Sequence, residues 1–199
     1  MSYNEIKELI IARFGAAIIT GENPQGSQPF LIIKTEQIAV VCQELFQNPL
    51  TYFDYLACIT GLDNGPEVGT LEVIYHLYSI PYDHHLTLKI ITERLTPAGD
   101  LPVVPTVSHI WRTADWHERE AYDLVGINFA GHPDLRRILC AADWEGHPLR
   151  RDYELQEYYH GIKVQYDNHN EANGFKGERF TGFQIWVLED YWLKSFYNI

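Results

Sequence analysis

The sequence predicts an α+β fold: a small mixed or antiparallel sheet with helices on one side, followed by an extended, irregular C-terminal segment. Three observations support this. Apolar residues recur at helical spacing near the N terminus, two long segments alternate as strands do, and regular periodicity fades after Gly126. The chain has 199 residues, enough for one domain with its own core and an extension. We therefore divide it into an α+β domain, 1–125, and an extended segment with a tail, 126–199.

The first half of the domain contains two predicted helices separated by short strands. Ile6, Ile10 and Phe14 lie on one side of the first helix, and Gly15 is a stop signal. In chain order, the predicted elements are helix Asn4–Phe14, short strand Ala16–Thr20, turn or exposed loop Gly21–Pro29, strand Phe30–Lys34, and a helix that Thr35 caps and that runs to Gln47.

A predicted antiparallel hairpin follows. Residues alternate along Thr70–Ile80 and His85–Glu93, and Pro81-Tyr82-Asp83 joins the two strands. Beyond the hairpin, the pattern predicts a connector at Leu101–Pro105, a short helix at Val107–Arg112 and a longer helix at Asp115–Leu124.

Net charge and arginine placement limit the classes of partner. The formal net charge is −12, which argues against nucleic acid or an anionic membrane surface as the direct partner, since both require a basic face. Six of the nine arginines fall in residues 101–152. Arginine suits bidentate pairing at interfaces, so this stretch is where we expect recognition.

Cysteine usage and hydropathy indicate the compartment. Cys42, Cys58 and Cys140 are isolated, without the paired spacing of a metal or redox motif, which is typical of reduced thiols in a reducing compartment. The sequence has no secretory signal pattern and no apolar run near 18 residues. We expect a soluble, cytoplasmic chain whose membrane association comes only through a partner.

The C-terminal stretch 153–199 is irregular but rich in aromatic residues. Such a segment cannot bury much of itself in a core of its own, so it is either disordered or laid along a partner. Its aromatic content favours the partner. The residues concerned are Tyr158, Tyr159, Tyr166, Phe175, Phe180, Phe183, Trp186, Tyr191, Trp192, Phe196 and Tyr197.

The helix around Glu118 raises two enzymatic hypotheses. His117-Glu118 begins like a zinc-protease helix, but Ala121 stands where the second histidine ligand is needed. Glu118, Glu120 and Asp123 could supply a general acid and base in a free-standing enzyme, but Glu118 and Glu120 point to different helix faces. A ladder of alternating charge along this helix instead predicts intrahelical ion pairs. The ladder consists of Asp115, Arg119 and Asp123.

Histidines and paired arginines of the extended segment have structural interpretations. His132, His147 and His160 could be metal ligands or proton relays, but each lies in a turn, where bonds to a carbonyl or an acid are more common. The pairs Arg136-Arg137 and Arg150-Arg151 lack the glycine-rich loop of a phosphate site. Salt bridges with Asp134, Asp143, Asp152 or a partner's carboxylates are favoured. No catalytic, cofactor-binding or metal-binding residue is predicted.

Two runs carry a family resemblance over about forty residues. Glu118 to Leu139 reads EREAYDLVGINFAGHPDLRRIL, and Asp143 to Tyr153 reads DWEGHPLRRDY. Together they resemble the signature of the 30-kDa (C) subunit family of respiratory complex I. The chain departs from the usual pattern at Glu154, where proline is common, and at Leu139-Cys140-Ala141, which lacks a proline.

The resemblance implies a non-catalytic subunit of the peripheral arm of an NADH–quinone oxidoreductase, at the cytoplasmic face of the bacterial inner membrane. It implies packing on the 49-kDa (D) subunit beside the quinone-reduction site. NADH, FMN, iron–sulfur clusters and quinone then belong to the whole complex and not to this chain. Equivalent subunits of membrane-bound hydrogenases or of ferredoxin- or F420H2-fed dehydrogenases are the alternative. The partner-interface residues implied are Glu118, Arg119, Asp123, His132, Arg136, Arg137, Asp143, Trp144, His147, Arg150 and Asp152.

Overall fold

A computed structural model of the chain describes residues 1–25, 28–96 and 98–164. The chain divides into two units, Met1–Gln156 and Glu157–Ile199. The first unit therefore includes residues 126–156, which were predicted to belong to the extended segment. The described part of the second unit is a short hairpin, β8 (Tyr158–Tyr159) and β9 (Ile162–Lys163). The aromatic residues expected to lie along a partner are mostly beyond Val164, outside the described residues.

The first unit combines a mixed five-stranded sheet with three helices, which confirms the predicted α+β class. The sheet order is β1-β2-β5-β4-β3, in which β2 and β5 are parallel and the other neighbours are antiparallel. The elements are α1 (Tyr3–Phe14), β1 (Ile19–Asn23), β2 (Phe30–Ile33), α2 (Ile38–Gln47), β3 (Tyr55–Asp63), β4 (Thr70–Ser79), β5 (His84–Glu93), β6 (Val103–Pro105), α3 (Thr113–Val125) and β7 (Asn128–Ala130).

Local signals explain the boundaries of α1. Ser2 and Glu5 form a reciprocal capping box, in which each side chain accepts a hydrogen bond from the other residue's backbone N–H. Gly15 ends the helix at a positive φ of 84°, which glycine adopts without strain. Ile6 and Ile10 are buried, so the apolar stripe of the sequence is the face that packs on the core.

The β4–β5 hairpin is the centre of the sheet. The hairpin is confirmed, and its register pairs Ser79 with His84, so the loop comprises residues 80–83 and includes Ile80, which was predicted in the strand. Alternate side chains of β4 are buried, and they pack against buried residues of α1, α2 and α3 in one core. The buried β4 side chains are Leu71, Val73, Tyr75, Leu77 and Ser79.

Strand β3 was not predicted from the sequence. Its burial does not alternate regularly, because its register with β4 shifts between Leu56 and Cys58. Gly61 also weakens the signal, yet the structure needs it. A Cβ at Gly61 would lie 3.1 Å from Val125 Cγ2 and 3.4 Å from Ala121 Cβ, so its absence lets α3 approach the strand.

The predicted helix at Val107–Arg112 is wrong. The segment is a turn with isolated backbone hydrogen bonds. Its Val107 N–H donates to the buried Glu118 carboxylate, so a tertiary contact fixes the segment. The longer helix is confirmed, but α3 begins at Thr113 and ends at Val125. The predicted connector contains strand β6, which pairs in parallel with β7.

Three shorter predictions in the first half are also wrong in detail. Thr35 does not cap α2: its hydroxyl donates to the Ile91 carbonyl, and a 3-10 turn at Thr35–Gln37 precedes the helix. Ala16–Ile18 is a 3-10 turn, and the strand that follows continues through Asn23, into the predicted loop. Cross-sheet partners, which local patterns do not contain, decide these boundaries.

Candidate functional site

The carboxylate of Asp123 organises the loop that follows β7. Its Oδ2 accepts hydrogen bonds from the backbone N–H groups of Ile138, Leu139 and Cys140 at 2.7–3.0 Å. Its Oδ1 accepts from Arg137 Nη1 at 2.8 Å. Asp123 is fully buried, so a charged side chain inside the molecule fixes the backbone of a segment without regular structure.

These bonds also set the charge state of Asp123. Burial raises the pKa of the carboxyl, but the three backbone donors and the guanidinium of Arg137 outweigh burial and hold the pKa below its usual value. Asp123 is therefore a carboxylate at neutral pH, which is the state that accepts all four bonds.

The signature segment, defined here as residues 126–153, supplies the C-terminal cap of α3. His147 Nδ1 donates to the Asp123 carbonyl at 2.9 Å, and the Leu149 N–H donates to the Leu124 carbonyl at 2.8 Å. Arg150 donates to the carbonyls of Val125 and Gly126. The last carbonyls of a helix have no partner within the helix, and here the segment supplies those partners.

Gly126 is required where α3 ends. It adopts a left-handed conformation with φ 77° and ψ 56°, and its N–H closes the helix on the carbonyls of Ala121 and Tyr122. A Cβ at this position would lie 2.5 Å from Cδ2 of His147. The glycine thus serves the turn and also leaves room for the histidine that caps the helix.

Arg119 also binds the loop that Asp123 holds. Its guanidinium donates to the carbonyls of Arg136 and Arg137, and it lies 5.4 Å from the ring centroid of Trp116. The intrahelical ladder predicted for this helix is wrong, because Arg119 and Asp123 both bond across to the 136–140 backbone. Tertiary hydrogen bonds compete successfully with exposed i,i+4 pairs, which are weak.

A second cluster joins the sheet to the signature segment, and two of its residues, Asp63 and Arg94, were not singled out from the sequence. Arg94, just after β5, contacts both oxygens of Asp63 at 2.8 and 2.9 Å and also pairs with Asp152. Asp63 accepts a further bond from the Arg151 N–H at 2.9 Å. Burial raises the pKa of Asp63. The hydrogen bonds from Arg94 and from backbone N–H groups outweigh burial, so the pKa lies below its usual value.

Glu118 and His132 lie close together inside the molecule, with 3.9 Å between Nε2 of His132 and Oε2 of Glu118. Glu118 is fully buried and accepts bonds from the Thr106 hydroxyl and, at 2.7 Å, from the Val107 N–H. Burial raises the pKa of Glu118 to about 7, although both donors oppose this. His132 Nδ1 accepts from the Asp134 N–H, so its proton is on Nε2, which donates to the Asp115 carbonyl at 3.1 Å.

The remaining predicted interface residues occupy more exposed positions. Arg136 pairs with Asp134, and its side chain is 73% exposed. Trp144 Nε1 donates to the Tyr153 hydroxyl at 2.9 Å, and Asp143 is in the adjoining turn. The preference of His132 and His147 for backbone carbonyls is confirmed. The salt bridge expected for Arg136 is confirmed too, whereas Arg150 bonds to carbonyls.

The hydrogen bonds and ion pairs of this site hold the signature segment against α3 and the sheet. An open cavity of about 420 Å³ lies beside Arg94, His147 and Arg150, and both arginines donate to acceptors of the chain itself. Among residues 1–25, 28–96 and 98–164, no group of three or more His, Cys, Asp or Glu side chains could hold a metal ion. No helix within the same ranges is long and apolar enough to cross a membrane.

Comparisons with known proteins agree with the resemblance. Residues 31–159 match the family described as the respiratory-chain NADH dehydrogenase 30-kDa subunit. A relative from Chloroherpeton thalassium, named as the C subunit of NADH-quinone oxidoreductase, is 42% identical over 83% of this chain and 65% of its own length. C subunits of the same enzyme from Chlorobium phaeobacteroides and Rhizobium etli are 40% and 44% identical over 83% and 75% of this chain and 94% and 76% of their own.

The fold also occurs in a solved structure of another complex. A chain of the membrane-bound sulfane sulfur reductase, an archaeal respiratory membrane complex, matches with a TM-score of 0.60. It is 22% identical and the match covers 76% of this chain and 85% of that one, so the likeness concerns the fold. The family match begins within β2 and includes β3, β4, β5 and the signature segment. The chain therefore belongs to the 30-kDa subunit family of the respiratory-chain NADH dehydrogenase.

Proposed function

We propose that this chain is a non-catalytic structural subunit of the peripheral arm of a proton-translocating NADH–quinone oxidoreductase. In this proposal it packs on the 49-kDa (D) subunit beside the quinone-reduction site, at the cytoplasmic face of the membrane. It supports electron transfer from NADH to quinone without binding NADH, FMN, an iron–sulfur cluster or quinone itself. Family membership supports the general role, and the Asp123 network supports the structural one.

The single observation that carries the proposal is the way Asp123 holds an irregular loop at the surface. Four hydrogen bonds to one buried carboxylate fix the loop in one conformation before any partner arrives. A pre-ordered surface loses less conformational entropy on binding than a flexible one. A rigid subunit of this kind can hold the loops of a neighbouring redox site in place.

The alternative keeps the family but changes the complex. Equivalent subunits of membrane-bound hydrogenases or of ferredoxin- or F420H2-fed dehydrogenases would use the same fold. The likeness to a chain of the sulfane sulfur reductase complex is the observation that favours this alternative, since it places the fold in a different respiratory complex. Only the identity of the bound subunits separates the two hypotheses.

Co-purification tests the proposal directly. The chain is tagged in its own organism, membranes are extracted in mild detergent, and the recovered proteins are identified by mass spectrometry. A 49-kDa-type subunit with NADH–quinone activity supports the proposal. Hydrogenase subunits support the alternative, and recovery of the chain alone contradicts both.

A variant separates a structural from a chemical role. Arg150→Ala removes donors from the end of α3, so the amount of assembled complex should fall while the activity of each assembled complex stays unchanged. Full assembly with loss of turnover would show that the chain takes part in the chemistry. Lys34→Ala, at an exposed position of the first unit, is the control and should change neither quantity.

A further inference from the structure

Several polar residues of the family signature form hydrogen bonds within the chain, so their side chains are not available to a partner. Asp123, Arg137, His147 and Arg150 bond to one another or to the chain's own backbone. Their side chains are therefore committed before assembly. Contacts to another protein of the complex have to come from side chains that this network positions at the surface.

Two large apolar side chains are in that position. Trp116, on α3, is 62% exposed, and Leu139 is 65% exposed although its N–H donates to Asp123. Trp116 precedes Asp123 by seven residues, which is about two helical turns on the same face and roughly 10 Å along the axis. Arg119 connects Trp116 to the loop that contains Leu139, since its guanidinium lies over the Trp116 ring and donates to the Arg137 carbonyl.

The charge of Arg119 indicates the chemistry of what covers this surface. The residue is only 9% exposed, and its hydrogen bonds go to neutral carbonyls. The salt bridges formed within the described ranges do not include it. Buried charges in proteins are normally paired, so the chemistry expected opposite Arg119 is a carboxylate. Arg136 is a second cation of the same loop, and its guanidinium pairs with Asp134 and is 73% exposed.

We propose that Trp116, Arg119, Arg136 and Leu139 form the docking surface for an apolar segment of a partner protein that carries a carboxylate opposite the two guanidinium groups. The inference rests on the proposed function and specifies which face of the chain carries it out. Tryptophan and arginine dominate the binding energy of protein interfaces, and leucine supplies apolar area between them.

The test compares surface variants with matched controls in the whole complex. Trp116→Ala and Leu139→Ala are introduced into the tagged chain in its own organism, and the partner recovered per mole of chain is measured. Leu50→Ala is the control for Leu139→Ala because Leu50 is also 65% exposed, and Tyr55→Ala is the aromatic control on β3. Urea unfolding of each purified chain verifies that stability is unchanged.

We expect recovery of the partner to fall about tenfold or more in the Trp116 and Leu139 variants and to be unchanged in the controls. Arg136→Glu should reduce recovery as well, by more at low than at high ionic strength, since it tests the carboxylate. Wild-type recovery in both apolar variants would overturn the inference while leaving the proposed function intact. Failure of the wild-type chain to recover any partner would overturn the proposed function first.

A second copy of this chain is the competing occupant of the surface. Light scattering of the purified chain at increasing concentration measures it. A concentration-dependent dimer that Leu139→Ala abolishes and Leu50→Ala does not would assign the surface to self-association and overturn the inference.

Discussion

At the scale of single residues, buried carboxylates in this chain have opposite electrostatic environments. Asp123 accepts four hydrogen bonds and is held as a carboxylate, whereas Glu118 has two donors and a core environment that favours its neutral form. Burial raises the pKa of both groups, but the donors to Asp123 include the guanidinium of Arg137. The donors to Glu118 are neutral, and Asp115 raises its pKa further.

Glu118 makes the stability of the chain depend on pH. Its folded pKa of about 7 lies above the ordinary 4.5, so the folded state binds the proton more tightly than the unfolded chain. The stabilisation is complete below pH 4.5 and is lost as pH rises through about 7. We expect Glu118→Gln to remove about 3 kcal/mol of this pH dependence, measured as the free energy of urea unfolding at pH 5 and pH 8.

The control for this prediction is Glu120→Gln, on the exposed side of the same helix. It should leave the difference between the two pH values as in the wild type. If Glu118→Gln retains the full pH dependence, another group is responsible for it.

The sequence predicted the helix that carries these two residues, but not their burial. Glu118 and Asp123 were expected at an interface because the family signature contains them, but the structure places both inside the molecule. Carboxylates on a helix look the same in a sequence whether they face a partner or their own chain. The three N–H groups that bind Asp123 belong to residues 15 to 17 positions further on, and a backbone N–H leaves no residue-specific signal.

At the scale of elements, the C-terminus of α3 is the junction on which the site depends. The helix ends on a glycine in the left-handed region, and side chains from residues 147 and 150 bind its last carbonyls. Gly126 therefore has a backbone requirement and a steric one, and the two can be measured separately.

We expect Gly126→Ala to destabilise the chain more than Gly69→Ala. Both glycines have positive φ, so each substitution costs about 1–2 kcal/mol of backbone strain. Nothing lies within 4 Å of a Cβ at Gly69, whereas one at Gly126 meets His147 at 2.5 Å, which adds about 1–3 kcal/mol of overpacking. Thermal unfolding of the two variants measures the difference.

The double variant Gly126→Ala/His147→Ala tests the cause of that difference. Removing the imidazole relieves the overlap but also removes the bond to the Asp123 carbonyl. The double variant should therefore be more stable than the sum of its two single losses predicts. Simple additivity of the two losses would mean that the overlap is not the cause.

Elements with regular local patterns were predicted well, and those fixed by distant contacts were not. The alternation of β4 and β5 and the stripe of α1 are local properties, so their positions followed from the sequence. Strand β3 has a register shift and a glycine, Gly61, that allows close contact with α3. Both interrupt the alternation of apolar and polar residues along the strand. The turn before α3 was predicted as a helix, but its Val107 N–H is bound by Glu118.

At the scale of the whole molecule, Asp63 and Arg94 join the sheet to the signature segment. Arg94 follows β5, Asp63 ends β3, and Asp152 is in the signature segment, so a single guanidinium connects three parts of the first unit. Asp63 is 1% exposed at its side chain and Asp152 is 50% exposed, so the two pairs have unequal energies.

We expect Asp63→Asn to cost about 3 kcal/mol of unfolding free energy and Asp152→Asn less than about 1 kcal/mol. The pKa of Asp63 is lowered in the fold, so its contribution is present above the ordinary 3.8 and is lost as pH falls through the folded value. Urea unfolding at pH 7 and pH 3 measures both effects. Equal losses at pH 7 would show that the exposed pair contributes as much as the buried one.

The sequence alone determined the α+β class, the helices α1 and α2, the central hairpin, the course of α3 and the family. Each depends on periodicity or on an ordered motif, and such patterns are written in neighbouring residues. Tertiary structure alone decided that β3 completes the sheet, that Asp63 accepts from an N–H 88 residues away, and that the signature residues bond inward. The physical reason is that a polar group needs a partner in space, and folding brings that partner from a distant part of the chain.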